Sequence, residues 1–211
     1  DGIRDKLVTG VQTCALPIFE SVAKNKDINI PQLVKLAREG YAIVTPIPSC
    51  TLMFKQELPL MFPDEEDVQL VKDAMWDPFE YFIARNKDGL LKTDFKVELG
   101  KVSYHVPCHL RVQNVGKKTA ETLQMIPGTE VNVVERCSGH AGTWGVKKEF
   151  HKTAMKIGKP VFKNMASTEP DFISSDCQLA GHHIEQGIEE NGMKKSQMAH
   201  PISLLAKAYG L

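Results

Sequence analysis

Charge of one sign is missing from this sequence: 26 Lys and Arg stand against 26 Asp and Glu in 211 residues. A nucleic-acid-binding chain needs a basic patch or stripe, so no nucleic-acid partner is expected. Long apolar runs are missing too. Those present, such as 42–47, are strand-sized, whereas a bilayer span needs about 20 apolar residues. No transmembrane segment is expected. Closely spaced cysteines are also absent, which excludes the ferredoxin pattern within residues 19–211. What the chain does have is five scattered cysteines: Cys14, Cys50, Cys108, Cys137 and Cys177. A chain of this size needs no staples, so a metal or thiol role in a reducing, cytoplasmic compartment is the stronger reading.

The first residues are set aside. Val8–Ile18 reads VTGVQTCALPI and resembles a translated sequencing-library adapter; Asp1–Asp5, DGIRD, resembles the flow-cell end of the same adapter. Lys6 and Leu7 would come from the index bases between them. Residues 1–18 are therefore expected to be adapter-derived, with authentic protein beginning near Phe19 and its true start missing. Cys14 carries no functional weight on this reading.

Strand and helix signals alternate along the remainder. Helical spacing over Gln32–Glu39 stops at Gly40, and a β-rich run follows over Tyr41–Ile47. Pro48-Ser49-Cys50 reads as a turn before a helix over Thr51–Met61. Asp64–Asp73 and Pro78–Arg85 read as helices of a connector. Strands are expected at Val102–Val106, Glu130–Glu135 and Asp171–Ser174. Helices are expected at Val112–Met125, at Val146–Ile157 ending on Gly158, from Cys177 to about Glu190, and at Pro201–Ala208. Val161–Met165 fits either strand or helix. The alternation predicts an α/β fold with a parallel sheet flanked by helices. Right-handed crossovers bring parallel strand ends to one edge. Cys108, Cys137 and Cys177 each follow a predicted strand, so they should gather at that edge, where open α/β sheets bind ligands.

Three elements carry a family resemblance. They are Tyr104-His105-Val106-Pro107-Cys108-His109-Leu110; Cys137-Ser138-Gly139 with Gly142-Thr143-Trp144-Gly145; and Ser175-Asp176-Cys177. His200-Pro201-Ile202 adds a matching tail, and Pro48-Ser49-Cys50 with Leu52-Met53 echoes the third element. Together they resemble the CCG-domain (cysteine-rich) iron–sulfur oxidoreductases. The resemblance implies one complete CCG unit over 101–211, the C-terminal part of a preceding copy over 19–63, and a helical connector over 64–100. It implies an iron–sulfur cluster, 4Fe-4S or a variant, and electron transfer from a dehydrogenase to a quinone or disulfide acceptor. Other oxidoreductase subunits, a flavin dehydrogenase among them, would be the partners and could hold the chain at the inner face of the membrane. The chain departs from the pattern in three places. Ser138 replaces the second cysteine of Cys-Cys-Gly, and Ala180 and Met53 replace the last cysteine of the two terminal elements.

The resemblance makes Cys108, Cys137 and Cys177 the core ligands, with Cys50 from the first copy. Three thiolates fall short of the usual four. His140 and His182 are first choices among nearby histidines to complete the set. His183 reads as a helix-surface residue, and His105 as a group that packs or orients a ligand. Cys3His ligation also suits zinc, so a non-redox zinc or scaffold subunit is the alternative. Gly139, Gly142 and Gly145 are expected to let backbone N–H groups approach a cofactor closely.

Overall fold

The computed structural model describes the backbone of residues 2–142 and 144–211, and the side chains of 19–142 and 144–211. The expected adapter segment, 1–18, lies outside the described side chains, and Thr143 lies outside the described residues.

The elements are, in order, α1 (Gly2–Arg38), β1 (Ile43–Val44), α2 (Pro48–Leu52), a π-helical turn (Met53–Glu57), α3 (Leu58–Met61), α4 (Glu66–Ala74), β2 (Met75–Trp76) and α5 (Pro78–Lys87). The second half runs β3 (Gly100–His105), α6 (Cys108–Arg111), α7 (Lys118–Gln124), β4 (Thr129–Val134), a 3-10 turn (Lys148–Phe150), α8 (His151–Ala166), β5 (Phe172–Ser175), α9 (Gln178–Glu190), β6 (Gln197–Met198) and α10 (Pro201–Tyr209). The chain divides into two compact units. One holds the chain up to Ile43 together with Phe54–Met75; the other holds Val44–Met53 and Trp76–Leu211. This division runs through the expected 19–63 segment and places Cys50 with the second unit.

In the first unit α1 packs on α4 through Ile30, Val34, Val68 and Val71, all buried. Lys26 pairs with Glu65 at 2.5 Å.

The second unit is built on a four-stranded sheet in the order β4-β3-β5-β6, every pairing parallel. Alternation along the strands sends neighbouring side chains to opposite faces. Val102 and Phe172 join Phe79, Leu123, Ile126 and Leu204 on one face, under α5, α7 and α10. Ile173 and Val134 join Met155, Phe162, Met165 and Ile184 on the other, under α8 and α9. Both faces are covered, as a parallel sheet requires.

Several expected boundaries are corrected. The Tyr41–Ile47 strand shortens to β1, and Cys50 lies inside α2 rather than in a turn. The single helix over Val112–Met125 is broken, because Asn114 (φ 58°) and Gly116 (φ 85°) take left-handed backbone, which ends a helix. The helix expected from Val146 starts at His151 and runs past Gly158 and Pro160 to Ala166. Burial of Met155, Val161, Phe162 and Met165 along one face outweighs the two breakers, and Val161–Met165 is helical. Strand β6 carries too short an apolar pattern to be anticipated.

Candidate metal centre

Strands β3, β4 and β5 end side by side. His105 is paired with Val134 on one side and Ser175 on the other. Cys108, Cys137 and Cys177 follow those three residues within one short turn each. The edge predicted from strand alternation therefore carries all three. Cys108 opens α6 after Pro107, and Cys177 caps α9. Cys108 and Cys137 are exposed, Cys177 is half-buried, and all are free thiols.

Cys50 joins the same unit. Helix α2 packs on α6. The buried Gln113 side chain ties them, its Nε2 donating to Pro48 O at 3.0 Å and to His109 O at 3.1 Å. His109 is exposed, with Nδ1 3.9 Å from the Cys108 sulfur. Among the described residues, no three His, Cys, Asp or Glu side chains converge as they would around one metal ion.

Beneath the cysteines the strand ends are locked by polar groups that sequence reasoning missed or left unassigned. His105, 2% exposed, spans all three strand ends. Its Nε2–H donates to Arg136 O at 2.8 Å, because a carbonyl can only accept. Nδ1 must then accept from Ser175 Oγ at 3.1 Å. Burial pushes its pKa down to about 4, so it is neutral near pH 7. Its ring holds the backbone that leads into Cys137. Asp176 is buried beside Cys177; it accepts from the Tyr104 hydroxyl, and from Thr119 Oγ1 at 2.9 Å. Burial raises its pKa to about 6. His200 Nε2–H donates to Asp176 O at 3.2 Å while Nδ1 accepts from Ile202 N–H, capping α10. Asp176 stands one residue before a strand-end cysteine, and that position was the available signal.

The histidines are placed as follows. His182 is 55% exposed and lies 3.3 Å from Glu185. His183, expected at the surface, is buried at 7% exposure; Ala180, Ile184, Gly187 and Ile188 form the inward stripe of α9 and carry it inside. His140 is buried at 6% exposure, its ring centroid 6.0 Å from that of His183.

The glycines approach protein rather than open space at two of three positions. A Cβ on Gly139 (φ 84°) would stand 2.3 Å from Ala154 O, and one on Gly145 would stand 2.0 Å from His140 O. Gly142 (φ 59°) faces no atom within 4 Å. The loop is closed by Gly145 N–H donating to His140 O at 2.9 Å, and Trp144 stacks on Phe150.

The sequence has known counterparts. The chain is 27% identical over 215 residues to a subunit of the anaerobic glycerol-3-phosphate dehydrogenase of Escherichia coli (strain K12), covering 96% of this chain and 51% of that protein. It is 30% identical over 148 residues to a subunit of the dihydromethanophenazine:CoB–CoM heterodisulfide reductase of Methanosarcina mazei, covering 64% of this chain and 35% of that protein. It is 33% identical over 126 residues to an uncharacterized iron-sulfur protein of Methanocaldococcus jannaschii, covering 56% and 25%. The chain thus spans about half the length of the first relative and less of the other two. The cysteine-rich domain (CCG) family matches residues 102–185, a span that runs from β3 through Cys108, Cys137 and Cys177 into α9.

Proposed function

We propose that this chain is part of an iron–sulfur electron-transfer subunit of an oxidoreductase. The single observation that carries the reading is the placement of Cys108, Cys137 and Cys177 on three adjacent, in-register strand ends inside a CCG domain. Cys50, His140 and His182 are the candidates for a fourth ligand. Cys50 is favoured, because Gln113 ties its helix to that of Cys108 and four thiolates are the usual ligation. A cluster held there would accept and pass on single electrons. The residues around it have separable tasks: His105 fixes the Arg136 carbonyl before Cys137, and the Tyr104–Asp176–Thr119 network fixes the backbone before Cys177. Gly142, facing open space, is the glycine free to present backbone N–H groups to a cofactor.

The relatives named above include subunits of a dehydrogenase and of a heterodisulfide reductase. By that likeness, electrons come from a partner dehydrogenase subunit and pass to a quinone or disulfide acceptor. No described helix is long and apolar enough to cross a membrane, so attachment at the inner membrane face would run through a partner. The test is metal and sulfide analysis of anaerobically purified protein. Iron with inorganic sulfide and a reducible absorption spectrum is expected, both lost in Cys137→Ser. Stoichiometric zinc without sulfide, likewise lost in Cys137→Ser, would overturn the cluster in favour of a zinc subunit.

A further inference from the structure

With Cys50 as the fourth ligand, one buried cluster next to the cysteines is unused by that role. The Nε2 atoms of His140 and His183 are both buried and without a hydrogen-bond partner, on rings 6.0 Å apart with planes at 54°. A buried polar atom left unpaired costs about 1–3 kcal/mol, and here two share one wall. The His183 ring also makes a hydrogen bond to the Ala154 backbone. With Nε2 unpartnered, the donor is Nδ1, which leaves the Nε2 lone pair free. A metal-binding imidazole takes this form, with its second N–H given to a backbone carbonyl.

The two rings back a groove of about 750 Å³. His151 and His182 also line it, but His151 is held 3.3 Å from Glu190 and His182 3.3 Å from Glu185. Among the described residues no third ligand closes the pair. Two protein donors leave coordination positions open on the groove side, as a site that takes an exogenous ligand requires. Lys148 and Lys152 also line the groove and favour an anion there.

We propose that His140 and His183 together bind a late first-row transition-metal ion, with Zn²⁺ as the probe, through their Nε2 atoms at the wall of this groove and separately from the cysteine site. Imidazole is a donor such ions accept well. The site explains the pairing of two otherwise unsatisfied buried nitrogens.

Equilibrium dialysis of the purified chain against Zn²⁺ tests it, with iron and sulfide measured on the same samples. One zinc equivalent is expected in addition to any iron. His140→Ala or His183→Ala weakens zinc binding by about tenfold or more, while His182→Ala and Cys137→Ser leave it unchanged. His183→Gln, which keeps a polar side chain of similar length, serves as a second variant, and circular dichroism confirms that each is folded. Zinc binding that survives in folded His140→Ala or in folded His183→Gln, zinc lost in Cys137→Ser, or no zinc equivalent on the folded wild type overturns the proposal. Absence of iron and sulfide would overturn the cluster reading alone and leave the zinc result standing.

Discussion

His105 and Asp77 are buried ionisable groups whose environments push stability in opposite directions with pH. His105 is held near pKa 4 by burial, below the ordinary histidine value. A depressed folded-state pKa means the unfolded chain takes up the proton first. Stability is therefore full above about pH 6.5 and falls as pH drops toward 4. Asp77 caps α5, accepting from Phe79 N–H at 2.9 Å and Glu80 N–H at 3.3 Å. Burial first, and the negative charge of Asp176 second, raise its pKa to about 6. A raised folded-state pKa has the opposite sign: its contribution is present below about pH 4 and is lost as pH rises through 6. Asn keeps the capping oxygen without the charge. Asp77→Asn should gain on wild type as pH rises, its advantage larger by roughly 1–2 kcal/mol at pH 8 than at pH 5, read from urea unfolding at both values. His105→Asn should flatten the acid-side loss by about 2 kcal/mol between pH 7 and 5. Unchanged slopes in either variant would remove that residue from the titration.

The Cys137–Phe150 segment shows how an element is decided by what it packs against. Gly139 sits against the carbonyl of Ala154 in α8 and carries left-handed backbone, so a methyl there meets both a clash and strain. Gly139→Ala should cost about 2–4 kcal/mol in unfolding free energy. Gly142 has the backbone strain without the clash, and Gly142→Ala should cost only about 1 kcal/mol. Equal costs would mean that the loop does not close on α8. The same packing explains why α8 begins later and ends later than its sequence pattern indicates. Tight turns around Gly145 occupy the chain before His151, and the buried face carries the helix beyond Gly158. The glycine spacing and Cys137 were legible in advance; which glycines face protein and which faces space was not, because that depends on Ala154 and His140 carbonyls brought in by folding.

Across the second unit as a whole, β3 is the strand flanked by both β4 and β5, while β6 is a two-residue edge. Amides of Val102–His105 should be the slowest to exchange with deuterium and those of β6 among the fastest; the reverse order would contradict the strand order. The Gln113 bridge to Pro48 and His109 brings a distant segment into the second unit. Gln113→Ala should lower stability by about 1–2 kcal/mol, and with Cys50 as fourth ligand it should also lower iron content; unchanged iron would remove Cys50 from the site. Local pattern was enough to specify the α/β class, the parallel sheet and the placement of Cys108, Cys137 and Cys177 at one edge. Strand alternation and a cysteine after each strand can be read along the chain, and right-handed connection makes their meeting obligatory. Folding alone settled that Cys50 lies with the second unit, that His183 rather than His182 faces His140, and that Asp176 and His105 lock the strand ends. Those outcomes rest on contacts between residues far apart in the chain, where burial and hydrogen bonding, not local pattern, select the partner.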